Sequence, residues 1–184
     1  FRFLYTDDCT VTDSNVFELM HAAKVFEIGD LEHLCSEFIR SKKLSESNVS
    51  YFTSQALQFD AKDSLNVCLD YFKKNIEKVL TSDKFLDTPW TVLKAYLENR
   101  TDDCSESSYF AACVKWAKAE CKRRNMEETR KNLRKVLGDD LINEIKYEKM
   151  KMKEFVEVVV PAKLLTHEEI GRHIETLQEK KIKV

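Results

Sequence analysis

The chain repeats itself. Asn15-Val16 recurs 33 positions on as Asn48-Val49, and the same offset links Ala23 to Ala56, Phe26 to Phe59, Asp30 to Asp63, Cys35 to Cys68 and Phe38 to Tyr71. Apolar residues recur at three and four within each copy. The first carries Val16, Leu19, Met20, Ala23 and Phe26, then Leu31, Leu34, Cys35, Phe38 and Ile39. The second carries Val49, Phe52, Ala56 and Phe59, then Leu65, Cys68 and Phe72. That spacing gives two helices per copy, each with one apolar stripe. A lone hairpin cannot bury such a stripe, and stacking it on its copy closes the core. Short turns are expected near Gly29 and Ala61. The expected fold class is mainly all-α, built from stacked antiparallel helical hairpins.

The remaining segments read as helix too, roughly over 89–97, 105–121, 129–137 and 167–177. Thr12 and Ser45 are placed to cap the first and third helices. Thr88-Pro89 reads as a cap followed by a helix-compatible proline. Thr166-His167-Glu168-Glu169 fits a capping box. Val156 to Val160 holds four valines, which favours strand, yet Met152, Phe155, Val156 and Val159 also fit a helical face that Pro161 would end. Helix is the expectation there. No third copy of the hairpin follows at the same offset, and the signature residues of tetratricopeptide and ankyrin repeats are absent.

Composition narrows the function classes. The 184 residues are 43% apolar and 34% charged, with 3 Gly, 2 Pro and a net charge of −2. So few glycines and prolines argue against a turn-rich β-sandwich, and a near-neutral chain exerts no strong field on nucleic acid or membrane. No run approaches the ~18 apolar residues that span a bilayer, so no membrane partner is expected. Opening on Phe1, the chain reads as a fragment or a processed product. The six cysteines (Cys9, Cys35, Cys68, Cys104, Cys113 and Cys121) are at least eight positions apart. They lack the close pairs of a zinc site, and four fall on helical stripes as reduced, small hydrophobes. Reduced cysteines point to a cytoplasmic or nuclear compartment. There is no nucleophile elbow, phosphate loop or zincin motif. His21, His33, His167 and His173 have no visible partners. The paired acids Asp7-Asp8, Asp102-Asp103 and Asp139-Asp140 fall in expected turns. No cofactor, metal or catalytic residue is expected. Lys115, Lys118, Lys122, Arg123, Arg124, Arg130, Lys131, Arg134 and Lys135 form a basic cluster. Interleaved with Glu120, Glu127 and Glu128, it reads as a solvated helix face rather than a nucleic-acid patch.

Several residue groups, in order, carry a resemblance. Phe3-Leu4-Tyr5-Thr6-Asp7-Asp8, Asn15-Val16-Phe17-Glu18-Leu19, Ala22-Ala23-Lys24 and Leu31 to Ile39 resemble the C-terminal third of a BTB (POZ) domain. Asn48 to Asn75 is similar to the helix pair that follows BTB in cullin adaptors. Phe85-Leu86, Leu93, Leu97, Phe110, Trp116-Ala117-Lys118, Glu120-Cys121 and Leu133 to Gly138 resemble a BACK domain. Glu154 to Thr166 is similar to BTB–BACK proteins with a downstream PHR domain. The resemblance divides the chain into the end of BTB (1–42), BACK (43–166, with 43–80 as the cullin-contacting pair) and a C-terminal helix and tail (167–184).

What this implies is a non-catalytic adaptor that links a protein substrate to a cullin–RING ubiquitin ligase. Its partners would be the N-terminal domain of a cullin scaffold and an unknown protein substrate, with homodimerisation only where the upstream BTB half is present. The family's cullin-facing surface maps onto Tyr5, Glu27, Ile28, His33, Asn48, Tyr51, Phe59, Asp60 and Lys74. For Ile28 and Phe59, packing within the hairpins is an equal alternative. The competing function is a helical-repeat scaffold in transcriptional or cytoskeletal assembly, without a cullin.

Overall fold

The structure is a computed structural model and describes residues 10–182. Tyr5, Cys9 and the pair Asp7-Asp8 lie outside the described residues. Helices α1 (Val16–Val25) and α2 (Gly29–Ser41) form one hairpin, and α3 (Val49–Gln58) and α4 (Lys62–Lys74) form the next. Corresponding helices have equal lengths, 10 and 13 residues. The offset in sequence is therefore an offset in structure.

The repeat extends to single hydrogen bonds. Asn15 Oδ1 accepts the Thr12 N–H at 2.7 Å, and Asn48 Oδ1 accepts the Ser45 N–H at 2.8 Å. The two side-chain amides donate back to the carbonyls of Thr10 and Lys43. Thr12 and Ser45 are not the side-chain caps their position suggests; their hydroxyls pair with Ser14 and Ser47. Asparagine both accepts and donates, so one residue closes the whole turn before the helix.

The hairpin turns are also duplicated. Ile28 N–H reaches Ala23 O at 2.8 Å, and Ala61 N–H reaches Ala56 O at 2.9 Å. These are the six-residue bonds of a Schellman ending, which requires a left-handed residue. That residue is Glu27 (φ 55°) in the first hairpin and Asp60 (φ 49°) in the second. Gly29, the expected turn residue, is instead the first residue of α2.

After the second hairpin the pattern ends for a visible reason. Phe17 and Met20 of α1 correspond to Ser50 and Thr53 of α3, so an apolar seat becomes a polar one. It holds Tyr96, whose hydroxyl lies 3.3 Å from both Ser50 Oγ and Thr53 Oγ1. Thr88 donates to Ser50 Oγ at 3.0 Å, and Thr53 donates to Val49 O at 2.7 Å. A buried run of hydroxyls thus couples α3 to the next part of the chain. Phe72 of α4 stacks flat on the Tyr96 ring, centroids 4.0 Å apart.

That next part comprises α5 (Ile76–Thr81), a 3-10 turn (Asp83–Asp87), α6 (Trp90–Glu98), α7 (Glu106–Arg123), α8 (Arg130–Leu137) and α9 (Asp139–Glu144). A second 3-10 turn (Tyr147–Lys149) follows, then α10 (Met152–Glu154) and the terminal α11 (His167–Ile182). No strand occurs among the described residues. Thr88 does not cap α6, because its hydroxyl serves Ser50; Pro89 takes the cap position. Asp139-Asp140 opens α9 rather than lying in a turn. The valine-rich segment is helical but widened: Phe155–Val159 is a π-helix, with Val160 N–H on Phe155 O at 3.2 Å. Phe155 and Val159 are both fully buried.

Helix α7 is the hub, burying Tyr109, Phe110, Cys113, Trp116 and Ala117. Trp116 Nε1 donates to Thr88 O and Trp90 Nε1 to Leu137 O, each at 2.7 Å. Arg100 and Glu106 form a buried ion pair at 3.0 Å, with side chains 6% and 8% exposed. The guanidinium also donates to the carbonyls of Leu97 and Glu144, and Glu106 accepts the Lys146 N–H at 3.1 Å. The pair therefore ties α6, α7 and α9 together. Thr166 and Glu169 make the expected capping box on α11. No described helix is long and apolar enough to cross a membrane.

Candidate partner-binding surface

The antiparallel hairpins have two ends. The turn end holds Glu27 and Ile28 between α1 and α2, and Phe59 and Asp60 between α3 and α4. His33 lies one turn along α2. The opposite end holds Asn48 and Tyr51 at the start of α3, and Lys74 at the end of α4. A helix of α3's length separates the two ends by about 15 Å. The candidate residues therefore form two groups, not one patch, and Tyr5 lies outside the described residues.

Within these groups the roles differ. Glu27, His33, Asp60 and Lys74 are exposed. Phe59 is half-buried and joins the hairpins: its ring stacks on Phe17 (6.4 Å, 11°) and meets His21 at 5.8 Å. Ile28 also packs against the core. Asn48 is occupied by the turn before α3. Tyr51 leaves 45% of its surface exposed, and its hydroxyl donates to Asp13 O at 3.2 Å, linking α3 to the approach of α1. An ion pair between Lys42 and Asp13 reinforces that link.

Two residues of the hairpin stripes are exposed rather than buried. Phe26 is 55% exposed and Leu34 is 40% exposed. Phe26 is the C-cap of α1, past the packed stripe of Val16, Met20 and Ala23, and Leu34 falls beside the buried row Leu31, Cys35 and Ile39. With Val25, 61% exposed, Phe26 makes an apolar ridge at the turn end. Periodicity hides this ridge, because a stripe residue past the last packed turn reads like a core residue.

Elsewhere the chemistry is that of a packed body. Burial pushes the thiols of Cys68 and Cys113 up to about 11 and about 12, so they stay protonated at neutral pH. No group of three His, Cys, Asp or Glu among the described residues could hold a metal ion. In the basic cluster, Arg123 and Arg124 share Glu120, Lys118 faces Glu128, and Arg134 bridges Asp139 and Glu169. Burial raises the Glu120 carboxyl, but its hydrogen bonds from Arg123 and Arg124 outweigh that and hold it below its usual range.

Two family models match the chain. The BTB/POZ domain matches residues 1–43, and BACK (BTB And C-terminal Kelch) matches residues 49–160. The seam falls between the hairpins, so the internal repeat spans both. The chain is 27% identical over 168 residues to BTB/POZ domain-containing protein 6-A of Danio rerio, covering 91% of the chain and 31% of that protein. It is 29% identical over 140 residues to BTB/POZ domain-containing protein 3 of Homo sapiens, covering 76% of the chain and 27% of that protein. The chain thus spans less than a third of the length of either relative.

Proposed function

The chain belongs to the BTB–BACK family, a family of protein-interaction adaptors, and from that premise we propose that it is a non-catalytic adaptor joining a protein substrate to a cullin–RING ubiquitin ligase in the cytoplasm or nucleus. The cullin's N-terminal domain would engage the hairpin pair, and a region outside this chain would hold the substrate. The observation that carries the reading is the duplicated hairpin, locked side by side by Phe59 on Phe17 and fastened to the rest of BACK through Tyr96. Such a stack presents exposed side chains at fixed separations, which is what positioning two partners requires.

The test is calorimetric titration of the full-length protein with a cullin N-terminal domain. Saturable binding is expected, weakened by about 1 kcal/mol or more in the double variant His33→Ala, Lys74→Glu. Both positions are exposed, so the variant should fold as the parent does. No heat of binding in the parent, with recovery of transcriptional or cytoskeletal proteins instead, would favour a cullin-free scaffold.

A further inference from the structure

Two clefts of about 260 and 290 Å³ adjoin where the end of α4 and the whole of α5 face the first half of α7. Glu77 and Cys104 line both, so the two clefts make one groove. Its floor is apolar. Ile76, Leu80, Cys104 and Ala112 line it, and each is 8% exposed or less. On the α7 side, Ser108 and Ala111 are too short to fill the space above that floor. From Ser108 to Lys115 the groove follows α7 for two turns, about 10 Å.

The rim is cationic. Lys73, Lys74 and Lys78 line the first cleft and Lys115 lines the second. None of the four makes an ion pair among the described residues. The carboxylates on the groove are Glu77 and Asp103, and Asp103 already accepts the Thr101 hydroxyl at 3.0 Å. Positive charge is therefore in excess here, in a chain whose net charge is −2. Helix dipoles favour Lys73, Lys74 and Lys78, which fall in the last turns of α4 and α5. Lys115 has no such local reason. It lies in the middle of α7, and the residues three and four away are Ala111, Ala112, Lys118 and Ala119, none of them acidic.

We infer that this groove docks an acidic amphipathic helix of a partner protein, its apolar stripe over Leu80, Ala111 and Ala112 and its carboxylates on Lys78 and Lys115. Four unpaired cations against two carboxylates attract an acidic segment and repel a basic one. The apolar floor favours a helix over a nucleic-acid backbone, which would leave Leu80 and Ala112 without an apolar partner. The inference goes beyond the adaptor reading and stands without it. Lys74 is the one residue that the groove shares with the cullin surface mapped from the family.

Fluorescence anisotropy on the whole chain tests this with three labelled helical peptides of equal length, built from leucine and glutamate, serine and glutamate, or leucine and lysine. The leucine–glutamate peptide should bind about tenfold more tightly than either of the others and weaken as salt rises. It should lose about tenfold against the double variant Lys78→Glu, Lys115→Glu. Ser108→Phe, which fills the groove and leaves its charge alone, should cost about as much. The control Lys122→Glu, Lys131→Glu makes the same charge change outside the groove and should cost nothing. All five positions are exposed, and circular dichroism confirms that the variants fold. Several outcomes overturn the inference: no binding of the leucine–glutamate peptide, equal binding of the serine–glutamate peptide, an unchanged affinity in either groove variant, or an equal loss in the control. Displacement of the bound peptide by duplex DNA, with Ser108→Phe leaving the DNA affinity unchanged, would also overturn it and give the lysines to nucleic acid instead.

Discussion

Glu27 and Asp60 show what a single residue can hide. Each ends a helix in the left-handed region, where a side chain costs about 1–2 kcal/mol that glycine avoids. Replacing Glu27 by Gly should therefore raise stability by about 0.5–1 kcal/mol, seen as a higher melting temperature. A fall would mean that the Glu27 side chain supports the turn. The turns themselves were legible from two apolar stripes ending near each other; the residues carrying the positive φ were not, because a left-handed helix ending ordinarily takes glycine or asparagine and Glu27 and Asp60 are neither. The Asn15 and Asn48 closures were also missed, although their recurrence was seen, because a side-chain amide bonding backward to the preceding loop has no periodic signature. Arg100 presents the opposite case: its buried partner Glu106 is six residues away, with no helical spacing to betray it. Arg100→Met should destabilise the chain by about 3–5 kcal/mol in urea melts, because it strands a buried carboxylate. A loss below about 1 kcal/mol would show that Glu106 is accommodated without it.

Among the elements, α11 has the most conditional attachment. Ile170, Ile174 and Leu177 pack it on the body, Arg134 holds Glu169, and the His173 ring lies 4.5 Å from Tyr147 and 5.9 Å from Phe155. Burial and then Arg172 hold the His173 pKa below its ordinary 6.5, against the opposing pull of Glu148 and Glu169. The unfolded chain therefore binds the proton more readily. This contribution to stability is fully present above pH 6.5 and is lost as pH falls through 6.5 towards the lowered native value. Amide exchange in α11 should accelerate between neutral pH and about pH 5 relative to α7, after correction for intrinsic rates, and His173→Phe should flatten the difference. Equal acceleration in parent and variant would remove His173 from the explanation. Next to it, the Tyr147 hydroxyl is buried with no partner among the described residues. Tyr147→Phe should leave thermal stability unchanged or raise it by about 1 kcal/mol; a loss would reveal an unseen acceptor. The helices α7, α8 and α11 were legible from stripes and caps. The shorter α5 and α9 were not, since six residues span too few turns to establish a period. The valines of Phe155–Val159 gave conflicting signals because β-branched residues suit a strand, yet a widened helix directs Phe155 and Val159 inward.

Across the whole molecule, the repeat was the feature that sequence conveyed best. Identical helix lengths, asparagine closures and turn endings follow the 33-residue offset through both hairpins. Why it stops was invisible until Tyr96 was seen in the seat that Ser50 and Thr53 provide, since no spacing rule pairs residues more than forty positions apart. The candidate surface was legible only in pieces. The family resemblance drew residues from both ends of the hairpins, and it passed over Val25 and also Phe26, the latter a stripe residue that periodicity assigned to the interior. Tyr96→Phe should weaken the joint by about 1 kcal/mol or more in denaturant melts, because it leaves hydroxyls of the buried run without their partner.

Hydrogen–deuterium exchange of the full-length protein, with and without a cullin N-terminal domain, measures most directly whether the paired hairpins are the gripping part. The account predicts slowed exchange confined to the α1–α2 and α3–α4 hairpins, strongest around Glu27 and Asp60, with α8 and α11 unchanged. Protection centred on α8 or α11, or no change anywhere at saturating cullin, would contradict it.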